Sequence, residues 1–182
     1  MPATASSWAV RRCLANPEFT MGIILTRIDS RLIHGQVLEA WVPYLKADCI
    51  VVANDAAACT PLQRMIMQAA VPSDIRLEIG TLDEVAALLH SSELSNRRTL
   101  LLFASSDDAL RACRLGLGFA QLNLGNLHAA EGKYRYSCTI ALDQHDIDNL
   151  CAVEAAGVTI VSQCVPADRA QGWQSLVRKG SA

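Results

Sequence analysis

Residues Ile23–Val42 read "IILTRIDSRLIHGQVLEAWV". From Gly22 to Ile28 the chain is apolar nearly throughout, the mark of a strand buried on both faces. From Gly35 the period changes. Val37, Leu38, Trp41, Val42 and Leu45 recur at helical spacing, with Pro43 expected to disturb the end of that helix. The short loop between them carries Asp29, Arg31 and His34. Trp41 reads as a core residue of the helix.

The same alternation continues along the chain. "DCIVVAND" (48–55), "DIRLEIG" (74–80), "RTLLLFA" (98–104) and "FAQLNLGN" (119–126) read as strands. "TPLQRMIMQAAV" (60–71) reads as a helix, with Thr60 as its cap, Pro61 in the first turn, and Leu62, Met65, Ile66 and Ala69 sharing a face. "TLDEVAALLHSSEL" opens with a capping box, Thr81 and Glu84. "SSDDALRACRLG" has serine caps, early acids and Gly116 as its stop. "YRYSCTIAL" (134–142) reads as one extended piece, and "DQHDIDNLCAVEAAG" as a helix stopping at Gly157. "VTIVSQCV" reads as the last strand, and "PADRAQGWQSLVRK" as a terminal helix with Pro166 near its start. Strands apolar on both faces need helices on both sides. The expected fold is therefore α/β: an open, mostly parallel sheet with helices on both faces. Ligands bind such sheets beyond the carboxyl ends of the strands. His34 lies in such a place.

Composition excludes several classes. The 182 residues are 51% hydrophobic and 19% charged, with net charge -2, which suits one folded domain. There is no basic excess to call for nucleic acid. No apolar run approaches the ~20 residues that span a bilayer. The seven cysteines show no C-x-x-C pair and no clustered zinc ligands, and they read as reduced core residues. No metal or other cofactor is expected. The phosphate-binding glycine loops of nucleotide enzymes are missing as well.

The loop itself describes a chemistry. A neutral imidazole is a good nucleophile near neutral pH. A chain turning into a helix offers free N–H groups and the positive end of the helix dipole. Arg31 and Arg27 add fixed charge and forked donors that fit phosphate oxygens. Asp29 can fix the ring's tautomer and orientation. Together these parts could bind, accept and hand on a phosphoryl group. Each also has a plainer reading: a capping histidine, a surface ion pair for Arg31, and a solvent-facing strand end for Arg27.

"TRIDSRLIHGQVLEAWV" resembles the N-terminal signature of the IIB components of the mannose/fructose/sorbose family of sugar phosphotransferase systems. "IVVANDAAACTPLQRMIMQAAVP", "RTLLLFASSDDALRACRLG" and "SCTIALDQHDIDNL" are similar to later parts of that family, from Met21 to the carboxyl terminus. "QLNLGNLH" sits where the family carries an N-x-G-G-like turn. Two positions depart from the pattern: Asn126 replaces the turn's second glycine, and Ser30 stands where a second Asp is frequent.

The resemblance implies that His34 accepts a phosphoryl group from a phosphorylated IIA partner. It then passes the group to a sugar held by the membrane subunits IIC and IID. Arg31 would neutralise the phosphoryl group, with Arg27 as a second such donor. Gly35 would allow close approach, Gln36 would donate a hydrogen bond, and Asp29 would orient His34. Asn54 and Asp55, at the end of the second strand, would line the site or only make a turn. The resemblance also implies a cytoplasmic protein attached to the membrane through IIC and IID, and it permits a homodimer. A regulatory IIB-like module, whose phosphorylation signals rather than drives transport, is the alternative. The sugar is not legible.

Residues 1–20 show no apolar periodicity, and Pro17 and Glu18 interrupt any secretory core. They read as a disordered extension ahead of the IIB domain of residues 21–182, or as a start assigned too far upstream, with a targeting peptide as the weaker alternative. Deleting Met1–Thr20 should leave the melting temperature and phosphoryl acceptance unchanged. A large drop in thermal stability would show that the segment packs on the domain.

Overall fold

The computed structural model describes residues 22–180, so the reading of residues 1–20 and of Cys13 lies outside it. Seven strands form one sheet in the order β3-β2-β4-β1-β5-β8-β9. They are β1 (Ile23–Asp29), β2 (Cys49–Ala53), β3 (Arg76–Gly80), β4 (Thr99–Phe103), β5 (Gln121–Asn126), β8 (Thr159–Ser162) and β9 (Gln171–Gly172). All neighbours pair parallel except β8 and β9. The expected open, mostly parallel α/β sheet is what the chain builds.

Alternation along the central strands produces two cores. Cys49, Val51 and Ala53 of β2, with Leu101 and Phe103 of β4, face one layer of helices. Ile50 and Val52, with Leu100 and Leu102, face the other. Successive side chains point to opposite faces, so a continuous apolar run feeds both layers. On the first face lie α4 (Leu82–His90), α5 (Ser106–Arg114), α6 (Gln144–Ala155) and α7 (Trp173–Gly180). On the second lie the segment after His34 and α3 (Pro61–Ala70).

Several local readings are corrected. The first helix is a π-helical turn, Gln36–Trp41, running into a short α1 (Val42–Leu45). Val42 N–H donates to the Val37 carbonyl five residues back. Pro43 follows at once, and without an N–H it cannot continue an ordinary i→i−4 ladder. A short helix, α2 (Asp55–Cys59), precedes α3. The Thr60 hydroxyl therefore donates to the Ala56 carbonyl instead of capping α3. Leu62, Met65, Ile66 and Ala69 share a face, but it is exposed, and Met67 is the residue of α3 that packs inward. "YRYSCTIAL" is a hairpin of β6 (Tyr134–Arg135) and β7 (Ala141–Leu142), not one strand. The last strand is β9, an antiparallel edge, and α7 begins only at Trp173. Of the cysteines, Cys49 and Cys113 are buried but Cys59, Cys138 and Cys151 are exposed, which corrects the core reading for those three.

Phe103 ends the fully buried strand β4 and packs on Phe119, with ring centroids 5.9 Å apart. Phe103→Ala should cost about 3–5 kcal/mol. Urea denaturation should show it as a lowered midpoint with an unchanged slope.

Candidate functional site

The middle strand β1 lies between β4 and β5, and its carboxyl end carries the polar residues. Thr26, Arg27 and Asp29 are buried there, although Ile23, Ile24 and Leu25 are only half-buried. Arg27 and Asp29 are two apart, so both project from one face of the strand. Each is 0% exposed, and Arg27 Nη2 donates to Asp29 Oδ2 at 2.9 Å.

A buried ion pair is costly unless most of its remaining donors and acceptors are also met. Among the described residues, only the buried Nε of Arg27 lacks a partner in this pair. Arg27 Nη1 donates to Asn123 Oδ1 at 2.5 Å and to the Gln163 carbonyl at 3.0 Å. Nη2 also reaches the Cys164 carbonyl at 3.1 Å. The Trp41 ring stacks 5.2 Å from the guanidinium carbon, while its indole N–H donates to the same Cys164 carbonyl at 3.0 Å. The guanidinium thus reaches across β5 to the end of β8. Gly125 leaves the room, since a Cβ at that position would sit 1.8 Å from the guanidinium carbon.

Past Asp29 the chain turns sharply. The Asp29 carbonyl accepts from Leu32 N at 2.8 Å, and its Oδ1 accepts from Arg31 N at 3.2 Å. Ser30 N donates to the Asn126 carbonyl at 2.9 Å, and its hydroxyl to Asn126 Oδ1 at 3.2 Å. Leu32 adopts φ +55°, a left-handed conformation uncommon for a bulky residue. Its buried side chain anchors the turn in the second core. The turn delivers His34 to the sheet edge with its side chain 15% exposed.

His34 Nε2 lies 2.9 Å from Asp29 Oδ2. Burial by itself pushes the Asp29 carboxyl up, but the His34 hydrogen bond and the Arg27 charge outweigh it and hold the group below the usual carboxylate range. An ionised carboxylate only accepts. Nε2 of the neutral ring therefore carries the hydrogen, and Nδ1 keeps its lone pair with no partner among the described residues. Arg31 sits beside it, about a third exposed, with Nε 3.5 Å from Asp29 Oδ1 and Nη2 donating to Gln36 Oε1 at 2.8 Å. The Cys164 thiol also approaches Gln36 Oε1, at 3.7 Å. Among the described residues, the amides of Gly35 and Gln36 have no acceptor.

Asp29, Arg31, His34 and Gln36 come together as expected. Arg27 is corrected: it does not face solvent, and both of its terminal nitrogens are committed to the protein. Gly35 has right-handed helical angles, and a Cβ there would meet nothing nearer than Glu39 at 3.8 Å, so nothing within the chain requires glycine. Asn54 caps α2 and donates to Asp108, while Asp55 accepts from Leu82 N and pairs with Arg111. Both side chains act as turn and cap residues. Asn123, Gly125, Gln163 and Cys164 were not read as site residues. The available signals were a polar residue and a glycine inside an apolar strand, "QLNLGN".

The fold and site define an α/β protein of the open-sheet class, with a histidine at the carboxyl edge of the sheet, its ring held by a buried carboxylate and flanked by an exposed guanidinium. The family model described as "PTS system sorbose subfamily IIB component" matches residues 23–182. The chain belongs to that family: it is a IIB component of a sugar phosphotransferase system.

The chain is 34% identical to the N-acetylgalactosamine-specific phosphotransferase enzyme IIB component 2 of Escherichia coli, over 81% of this chain and 94% of that one. It is 30% identical to the sorbose-specific EIIB component of Klebsiella pneumoniae, over 81% and 90%. The crystal structure of the IIBSor domain of the Klebsiella pneumoniae sorbose permease superposes with TM-score 0.83 at 28% identity, covering 87% of this chain and 98% of that one. Among the described residues no helix is long and apolar enough to cross a membrane.

Gly125→Ala should drive the Arg27 guanidinium off its partners and leave a buried charge unpaired. A loss of about 3–5 kcal/mol is expected, against a few tenths for Gly172→Ala, whose Cβ would meet nothing within 4 Å. Thermal denaturation of the two variants measures the difference.

Proposed function

We propose that His34 accepts the phosphoryl group on Nδ1 from a phosphorylated IIA partner and hands it to a sugar presented by membrane subunits IIC and IID. The observation that carries this reading is the 2.9 Å bond from His34 Nε2 to Asp29, which leaves Nδ1 as the free nucleophile. The Nδ1 lone pair forms the new N–P bond as the donor's N–P bond breaks. The phosphorylated ring then carries positive charge, and Asp29 lies beside it to balance that charge. In the second transfer a sugar hydroxyl oxygen forms a P–O bond, the Nδ1–P bond breaks, and the hydroxyl proton leaves to solvent. His34 returns to its neutral form.

Charge supports the same reading. Two guanidinium groups face one carboxylate around His34, so the site carries a net positive charge toward an incoming phosphoryl group. Arg31 is the exposed one and is the phosphoryl contact. Arg27 acts through Asp29 and Trp41 as a positioning residue. The amides of Gly35 and Gln36 remain available to phosphoryl oxygens, as does the side-chain NH₂ of Gln36. A IIA partner is supported by the mannose-specific EIIAB component of Escherichia coli, which joins A and B in its name and of which this chain covers 50%.

His34→Ala should abolish phosphoryl acceptance while the circular dichroism melt stays in place. Arg31→Ala should slow transfer on the order of a hundredfold, the loss of about 3 kcal/mol of charge stabilisation. Arg31→Lys should lose less, because it keeps the charge without the planar fork. Rapid-quench transfer from phosphorylated IIA measures all three. Phosphate mapped to His90, His128 or His145 would overturn the assignment, and a wild-type rate in Arg31→Ala would make Arg31 a bystander.

A further inference from the structure

A cleft of about 150 Å³ opens beyond the carboxyl end of β5, between that strand and the β6–β7 hairpin. Asn126, His128, Arg135, Ser137 and Thr139 supply its polar lining. No carboxylate lines it. Arg135 has no ion-pair partner among the described residues. Ser137 Oγ accepts from Thr139 N at 3.3 Å and from Ile140 N at 3.1 Å, which leaves its own hydrogen free to donate outward. A guanidinium, an imidazole and a free hydroxyl around one hollow, with no acidic side chain, favour an oxyanion. The cleft also shares a wall with the phosphotransfer site. Asn126 lines it, and the same residue takes two hydrogen bonds from Ser30, four positions before His34.

We propose that this cleft binds a phosphate group, free or carried on a small molecule, held chiefly by Arg135 and Ser137. The inference rests on the sugar-phosphotransfer reading for its biological sense but not for its chemistry. The volume falls below the ~300–1,000 Å³ of pockets that enclose a drug-sized ligand. It therefore takes the phosphate and leaves an attached sugar ring largely outside. A phosphorylated sugar and inorganic phosphate are the two sources of that chemistry. Either one, bound against Asn126, bears on the turn that presents His34.

Amide NMR of the full-length chain, titrated separately with inorganic phosphate, a hexose 6-phosphate and the unphosphorylated hexose, tests the proposal. The two phosphates should shift the amides of His128, Ser137, Cys138 and Thr139, together with Ser30, and the plain hexose should not. Tighter binding of the hexose phosphate assigns the source to the sugar product; equal binding assigns the phosphate group alone. Arg135→Gln should weaken binding about tenfold, roughly 1.4 kcal/mol, with the rest of the spectrum unchanged. His34→Ala should keep the binding, because the cleft lies outside the phosphotransfer loop. Silence at tens of millimolar, equal shifts with the plain hexose, or binding lost in His34→Ala but kept in Arg135→Gln would each overturn the cleft. Phosphoryl acceptance by His34 in the Arg135→Gln chain is read separately. Its failure in the wild-type chain as well would sink the proposed function and leave the cleft standing.

Discussion

The Asp29 carboxylate is the constraint from which the site is built. It is fully buried and accepts from Arg27, from His34 and from the Arg31 amide. Desolvation alone would raise such a group and discharge it. The two cationic or hydrogen-bonding neighbours reverse that tendency and hold it ionised. Because it is ionised it only accepts, so it dictates which imidazole nitrogen carries hydrogen. One carboxylate thereby compensates a buried guanidinium, closes a tight turn and sets the tautomer of the neutral His34 ring. Removing either member of such a pair leaves the other charged in a dry interior, which is why these two residues belong together.

The sheet supplies the surroundings that this pair needs. β1 sits in the middle of the strand order, so its carboxyl end is walled by β4 on one side and by β5 and β8 on the other. Arg27 uses that position to reach the Gln163 and Cys164 carbonyls, crossing a strand that has no side chain at Gly125. The end of β8, the π-helical turn with Trp41, and the His34 loop are tied through one guanidinium. The polar network is dense inside and open outside, where Arg31 and His34 meet solvent.

Ser30 and Asn126 add a second tie. The two residues contact each other across the end of the sheet. Ser30 donates by hydroxyl and by amide to the one asparagine, so the turn before His34 is fastened to the end of β5. The amide bond to the Asn126 carbonyl is made by the backbone, and the hydroxyl bond to Oδ1 adds a side-chain contact to it.

The sequence alone determined the class of fold and the place of His34 on the sheet. Apolar runs such as "RTLLLFA" demand burial on both faces, and the change from a continuous run to helical spacing across Ile28–Val37 places His34 at a strand's carboxyl end. Local patterns also announced the capping box at Thr81 and Glu84, since its partners are three residues apart. What local pattern could not carry was anything joined across the sheet. Arg27 reads as a strand-end cation from its neighbours in sequence, yet its partners lie 96 and 136 residues away. The same holds for Gly125, whose need for glycine comes from a guanidinium on another strand, and for Asn54 and Asp55, drawn off by α5. Periodicity shows that Leu62, Met65, Ile66 and Ala69 of α3 share a face but not which way it turns, and that face is exposed. Spacing records what neighbours along the chain do; desolvation and hydrogen-bond competition are settled only when distant strands close around the same charge.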